Sequence, residues 1–274
     1  MPVMRFGGWL LALCLAGLAV PAGADAQADY ASARAALERK QFSAARTQFE
    51  AAANAGDVRA MMALAAMLGA GQGGARDEPG AFVWHERAAE GGHAPAQATL
   101  STLYASGRGV AADAAQSLVW ARRAAENGDA QSQHVMGIRS RDGLGVPRDI
   151  KQALLWFGAA AEQGHAPAQY SFGQLLADAA AESKNAGNAR NWRELSYQWL
   201  WLAREGGVGA AKLGLMQVGS LLTSEQITKV EREAREWKPV QFGGVAPEKP
   251  QAPQHEKSNQ KSRQKAPAEV QGKP

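Results

Sequence analysis

Tryptophan and small apolar residues recur along the chain at a constant step of 36 residues. Trp84, Trp120 and Trp156 mark this step, and each is followed four residues later by two alanines and a glutamate. Between these blocks, apolar residues fall three and four positions apart, as they do on one face of an amphipathic helix. A fixed repeat of this length predicts an all-α array of stacked helical hairpins, in which the Trp side chains fill the gaps between neighbouring units.

Polar residues at the same step predict where the helices begin. Asp77, Asp113 and Asp149 precede the Trp-containing second helix of each hairpin, helix B, and Asp is a good N-cap. Each unit ends at a glycine, and the residue after it begins the next helix A. These four residues alternate between Asp and His, which favours a capping role over chemistry: Asp57, His93, Asp129 and His165.

Two irregular segments flank the regular units. Residues 30–55 predict a hairpin without Trp, and Trp199 restarts the pattern after a step of 43 rather than 36. The seven extra residues fall around 180–193, and we expect them to project as a loop because insertions into repeats usually lie in loops. A last amphipathic helix, opened by Thr223, is expected to cap the array.

The first residues are typical of an export signal. A charged start at Arg5, an apolar run over residues 9–20 and the small-x-small sequence Ala24-Asp25-Ala26 predict cleavage before Gln27. The run is shorter than the roughly 20 residues that span a bilayer, so we expect no stable membrane insertion after cleavage and a periplasmic or secreted protein. The single cysteine, Cys14, lies inside this run, which leaves the mature chain without thiol chemistry.

The formal charge of +4 is concentrated at the C-terminus. Residues 238–274 hold seven Lys or Arg against three Glu, so the repeat body is neutral and no nucleic-acid partner is expected. The tail is rich in Pro, Gln and Lys and poor in large apolar residues, which predicts disorder.

No constellation of residues points to catalysis, a cofactor or a metal. The five histidines are scattered and no serine lies in a nucleophile-elbow pattern. The glycine loops ahead of Asp113 and Asp149 lack the preceding strand that a phosphate-binding loop requires. His93 and His165 are two repeats apart, too far to share an ion. We therefore expect no catalytic, cofactor-binding or metal-binding residue, and no enzyme.

The unit that begins at Leu100, with Tyr104, Gly107, Gly109, Asp113 and Trp120, resembles the Sel-one-like repeat, a 36-residue relative of the tetratricopeptide repeat. This resemblance implies a right-handed α-solenoid that acts as an adaptor, with a concave side formed by the A helices. The domain boundaries that we predict are a signal peptide (1–26), a tetratricopeptide-like hairpin (27–56), about four repeats with the last degenerate (57–222), a capping helix (223–238) and a disordered basic tail (239–274).

The residues expected on the concave side of one repeat can be projected onto the other repeats. Leu100 and Tyr104 are assigned to the core, so the opposite face of that A helix is expected to line a groove. Projected by the repeat step, this face predicts a partner-binding set that differs between repeats: Met62, His134, Ile138, Arg141, Tyr170 and Gln174. The alternative is that some of them pack against the next A helix.

These features predict a periplasmic scaffold that binds a partner protein or peptide in its groove, in envelope assembly, secretion or signalling. One alternative is a protein that binds cell wall or an anionic polymer through its basic tail. Another is an envelope hydrolase that uses His134 and nearby carboxylates. The oligomeric state stays open.

Overall fold

The structure is a computed structural model that describes residues 22–240, with side chains from residue 29 onward. The signal peptide lies outside the described residues except for its last five, as do Cys14 and the tail beyond Val240. Helix α1 begins at Ala22, so its backbone includes the predicted cleavage site.

The described residues form twelve α-helices and no strand. Their bounds are α1 Ala22–Glu38, α2 Phe42–Asn54, α3 Val58–Ala70, α4 Glu78–Glu90, α5 Ala94–Ser106, α6 Ala114–Glu126, α7 Ala130–Asp142, α8 Ile150–Glu162, α9 Ala166–Glu182, α10 Ala186–Glu205, α11 Ala211–Gly219 and α12 Ser224–Glu236. The chain divides into two compact units, residues 1–81 and 82–274, with the division inside α4.

Unit 1 contains the N-terminal hairpin and the first A helix. Helices α1 and α2 pack against each other around the fully buried Phe49, and α3 packs on α2. The loop after α3 passes close to α2, because a Cβ placed on Gly73 would overlap the backbone of Phe42. Gly73 also has a φ of +75°, so this loop requires a glycine at that position.

Unit 2 repeats one hairpin. In α5–α6, α7–α8 and α9–α10 an A helix packs along a B helix, and each B helix packs on the next A helix. Two glycines bring helices together: Gly137 lies against the ring of Phe157, and Gly173 lies against Leu200. Unit 2 is therefore a stack of hairpins and unit 1 begins with one, and the predicted all-α solenoid fold is confirmed.

The predicted caps of the B helices are present. The Asp113 carboxylate accepts hydrogen bonds from the amides of Ala115 and Gln116, and Asp149 does the same for Lys151 and Gln152. In the first repeat, Asp77 accepts from the amide of Gly80 at 2.8 Å.

The extra residues of the fourth hairpin lengthen its helices. Helix α9 has 17 residues and α10 has 20, against 13 in the regular units, and only Ser183–Asn185 connect them. Ala180 and Ala189, on either side of this turn, are buried. The prediction of a projecting loop around residues 180–193 is therefore wrong, because the segment continues the apolar contact between the two helices.

Helix α12 packs on α10 rather than extending the regular pattern of hairpins. Its apolar stripe is buried at Val230 and Ala234, and Trp237 meets Trp199 edge-on at 5.6 Å. Polar contacts add to this seam, since Glu194 on α10 accepts a hydrogen bond from Gln226 at 2.6 Å. The chain then turns back to α8, where the Val240 amide donates to the carbonyl of Glu162.

Candidate functional site

A row of buried glutamines joins the successive hairpins of unit 2. These side chains are nearly inaccessible and recur at the 36-residue step, each with its Nε2 donating to the carbonyl of an alanine near the end of the preceding B helix. The three pairs are Gln97 with Ala89 (3.0 Å), Gln133 with Ala125 (3.0 Å) and Gln169 with Ala161 (3.2 Å). We call Gln97, Gln133 and Gln169 the glutamine row.

The glutamine row has a second contact at two of its members. The Oε1 of Gln97 accepts from Asn127 at 2.8 Å, and that of Gln133 accepts from Gln163 at 2.7 Å. Each of these partners is the C-cap of the following B helix. Sequence reasoning missed this row, although the recurrence of Gln at the same step as Trp was a signal that could have found it. In α5, α7 and α9 these bonds orient one face of the A helix toward the preceding B helix.

The residue after each glutamine points about 100° away around the helix axis and is more accessible. Ala98, His134 and Tyr170 follow Gln97, Gln133 and Gln169, and all three are half-buried. One turn further along each helix, Thr102 and Gln174 are exposed and Ile138 is half-buried. We call these six residues the A-helix surface: Ala98, Thr102, His134, Ile138, Tyr170 and Gln174.

On α7, the residues of the A-helix surface are partly exposed to solvent and partly packed against the interior. Ile138 packs against the cluster around Phe157, and the His134 ring lies 5.6 Å from the Phe157 ring. The Arg141 side chain is 41% exposed, and its Nε and Nη2 donate to the Asp142 carboxylate at 2.7 and 2.8 Å. This ion pair raises the pKa of Arg141 and lowers that of Asp142. Arg141, beside this surface, therefore has its charge paired with that of Asp142.

The A-helix surface on α9 combines a packed aromatic residue with a free amide. Tyr170 packs partly against the cluster that contains Trp199 and Leu200, whereas Gln174 is exposed. Some members of the predicted set thus contact the stack and others face solvent, and the partner-binding role stays a prediction. Met62 lies on α3 in unit 1, where it is half-buried and in contact with other groups.

The predicted set contains no residue of α11. Applying the observed step of 43 to Tyr170 leads to Leu213 on α11, which is 62% exposed. Met216 and Leu221 nearby are also largely exposed, at 74% and 61%. The longer step, visible from Trp199, was the signal that could have extended the predicted set to this helix.

The caps of the A helices show why Asp and His alternate. The side chains of Asp57 and Asp129 accept hydrogen bonds from amides of α3 and α7, and the Nδ1 of His165 accepts from Ala168 in α9 at 3.2 Å. At the fourth position, the Nδ1 of His93 is buried without a hydrogen-bond partner. The predicted capping role therefore holds at three of the four positions.

His134 also contacts a hydroxyl group, which bears on the hydrolase alternative. Its Nε2 lies 3.1 Å from the Oγ of Ser171, in the second turn of α9. A nucleophile needs donors for an oxyanion nearby, but the backbone amides of a helix interior are committed to their own carbonyls. Burial lowers the pKa of His134 to about 4, which makes it a weak base at neutral pH. This pair is better suited to joining α7 and α9 than to catalysis.

Two further features of the described residues limit the kinds of site. In residues 22–240, no helix combines the length and apolar character needed to cross a bilayer. Over the same range, no three side chains of His, Cys, Asp or Glu come together as a metal site.

The geometry of paired A and B helices joined at a fixed step defines a helical repeat protein, and comparisons with known proteins agree. The family model of the Sel1 repeat matches residues 58–93, 94–129 and 130–165, which contain α3–α4, α5–α6 and α7–α8. The chain therefore contains three Sel1 repeats, and the predicted resemblance is confirmed. Sel1 repeats are scaffolds for protein–protein interaction and are generally not enzymes.

Two solved structures are similar to this chain. One is c5321, a protective antigen present in uropathogenic Escherichia coli strains that displays an SLR fold; it is 26% identical, with a TM-score of 0.59 over 77% of this chain. The other is a Sel1 repeat protein from Oxalobacter formigenes, 32% identical, with a TM-score of 0.57 over 65% of this chain. The match spans 46% and 49% of those two proteins, about half of each. None of the curated proteins matches the sequence.

Proposed function

We propose that this protein is an exported scaffold that binds a partner protein or peptide on the A-helix surface of unit 2. The observation that carries the proposal is a contrast between adjacent positions of the A helices. The buried position is Gln in all three helices, whereas the next residue changes from Ala98 to His134 to Tyr170. A scaffold that keeps its internal contacts while varying its accessible ones is suited to specific recognition.

The chemistry of this surface favours an uncharged partner segment. Arg141 is already paired with Asp142, and the accessible positions on α5 are small, at Ala98 and Thr102. Such a surface offers apolar contact with a few amide and hydroxyl groups, and it offers little net charge to attract an ionic partner. We therefore expect binding that changes little with salt.

A photo-crosslinking residue placed at Gln174 in the full-length protein would capture the partner in intact cells of the source organism. We expect a discrete crosslinked protein, identified by mass spectrometry. The matched control is the same residue at Gln152, an exposed glutamine on the B helix α8. The same products at both positions, or none at Gln174, would overturn the proposal.

Substitutions then test which residues carry the binding. Tyr170→Ala with Arg141→Ala is expected to lower crosslinking at Gln174 at least about tenfold, because an aromatic residue and an Arg at an interface often carry more than 1.4 kcal/mol together. Thr102→Arg is expected to do the same by steric blocking. Gln116→Arg, on the B helix α6, is the control. Capture that is unchanged in the first two variants, with an unchanged helical circular dichroism spectrum, would reject this surface.

The finer assignments rest on sequence. Export to the periplasm, with a role in envelope assembly, secretion or signalling, is supported by the predicted signal peptide, and fractionation of cells tests it. Binding of cell wall or an anionic polymer would require the basic tail. Deleting residues 241–274 should abolish sedimentation with purified cell wall if the tail is the binding element, and should leave crosslinking at Gln174 intact if the A-helix surface is.

A further inference from the structure

Two histidines meet between α7 and α9, and each is hydrogen-bonded to the opposite helix. The ring centroids of His134 and His165 lie 5.2 Å apart. His134 on α7 reaches Ser171 on α9 at 3.1 Å, and the Nε2 of His165 at the start of α9 reaches the Oε1 of Gln131 on α7 at 2.8 Å. These two side-chain bridges join neighbouring A helices, and Ser171 directly follows Tyr170 in α9.

The contacts of His165 fix its protonation state. Gln131 Oε1 can only accept a hydrogen bond, so the Nε2 of His165 must carry the proton. The Nδ1 must then be unprotonated, because it accepts from the Ala168 amide at 3.2 Å. Both nitrogens are therefore in use in the neutral ring. A second proton would turn Nδ1 into a donor that faces another donor, and the side-chain cap of α9 would be lost.

The groups that face the pair come from both helices and from α8. Burial, the His165 ring and the Arg141 cation all lower the pKa of His134, to about 4, while α8 contributes the uncharged ring of Phe157. Burial also lowers the pKa of His165, and the Asp129 carboxylate at the start of α7 acts against this shift. The Asp129 carboxylate therefore favours protonation of His165, whereas both charged groups that face His134 oppose its protonation.

We propose that the His134–His165 pair makes the contact between α7 and α9 acid-sensitive, because a proton on His165 removes the cap of α9 and places a positive charge beside His134. The first turns of α9 carry Ser171 and Tyr170, so the loss of the cap would loosen the α9 part of the A-helix surface. Only the consequence for partner binding rests on the proposed function. The change at the cap itself does not.

The test is an NMR titration of the full-length protein from about pH 8 to about pH 4, the range in which histidines change charge. We expect the amide of Ala168 and the ring of His165 to follow one titration curve with a midpoint below the ordinary histidine value of about 6.5. Protection of the α9 amides from hydrogen exchange should fall over the same range.

Two variants make the assignment specific. His165→Asn keeps a capping acceptor that cannot titrate, as Asn185 does at the start of α10, and is expected to abolish the pH response of Ala168. His93→Asn changes the matched position, where the ring makes no side-chain cap bond, and should leave that response intact. A response of Ala168 that survives in His165→Asn, or a His165 midpoint at or above the ordinary value, would overturn the proposal.

Crosslinking at Gln174, measured at neutral and at acidic pH, separates this inference from the proposed function. Acid-dependent loss of crosslinking at Gln174 in the wild type, and its absence in His165→Asn, would support both. If crosslinking fails at neutral pH, the A-helix surface is rejected, while the titration of Ala168 still decides the acid response. Crosslinking that persists in acid, with a titrating Ala168, would overturn the link between the cap and binding.

Discussion

Replacing Gln133 by Leu should destabilise the stack without changing its shape. Gln133 is 1% exposed, its Nε2 donates to the Ala125 carbonyl, and its Oε1 accepts from Gln163. Leucine fills a similar volume but supplies neither bond. The Ala125 carbonyl keeps one partner, since it also accepts from the Gly128 amide, and the half-buried Gln163 can turn toward water.

The loss of unfolding free energy should therefore be moderate, about 1–2 kcal/mol. This is near the net value of two buried hydrogen bonds and below the cost of a buried polar group that has no partner at all. Urea denaturation followed by far-UV circular dichroism would measure it, provided that the slope of the transition is unchanged, because repeat arrays can lose two-state behaviour. Gln116→Leu, at an exposed position of α6, is the control and should change stability by less than about 0.5 kcal/mol.

A double-mutant cycle with Gln163→Ala tests the pairing itself. The two side chains can be tested for coupling through their mutual hydrogen bond. If they are coupled, the double variant should lose less free energy of unfolding than the two single variants together, by roughly 0.5 kcal/mol or more. Strict additivity, or a Gln133→Leu protein as stable as the Gln116→Leu control, would refute the view that the glutamine row holds successive hairpins together.

Two other substitutions test the contacts that shape each repeat. Gly137→Ala would place a Cβ 2.5 Å from the Phe157 ring and should cost about 1–3 kcal/mol by overpacking; Gly209→Ala, which meets nothing within 4 Å, is the control, and equal stability of the two variants in urea would contradict this packing. Asp149→Ala removes the cap of α8 and should cost about 0.5–2 kcal/mol, whereas Asp149→Asn should retain most of the stability. Thermal denaturation by circular dichroism would check this, and an Asn variant as unstable as the Ala variant would show that the cap bond is not the cause.

Features with a local cause could be predicted from the sequence. A capping Asp acts within three residues of itself, so Asp113 and Asp149 could be assigned without knowing the fold, and the Trp step gave the repeat length directly. The family model matches the same three regular units. The fold class followed from these local signals because every hairpin contacts mainly its neighbours.

Features that depend on pairing between distant residues could not be predicted in this way. Gln133 and Gln163 are 30 residues apart, and His134 and His165 are 31 apart, so their contacts require the stacking geometry. The prediction of a projecting loop in the fourth hairpin failed for a different reason. The polar run around Lys184 has the composition of a long loop, but Asn185 is an N-cap that accepts from the Asn188 amide at 3.0 Å, and it starts α10 after a turn of three residues.

The glutamine row gives a structural basis for the proposal that one helix serves both stability and recognition. Adjacent residues on a helix point about 100° apart, so fixing Gln133 toward Ala125 fixes the direction of His134 toward the A-helix surface. The same holds for Gln97 with Ala98 and for Gln169 with Tyr170. Substitutions at the second residue of each pair can alter recognition while the first keeps the stack in register. Changes to the glutamines should therefore appear mainly in unfolding free energy, and changes at exposed positions such as Thr102 and Gln174 mainly in partner capture.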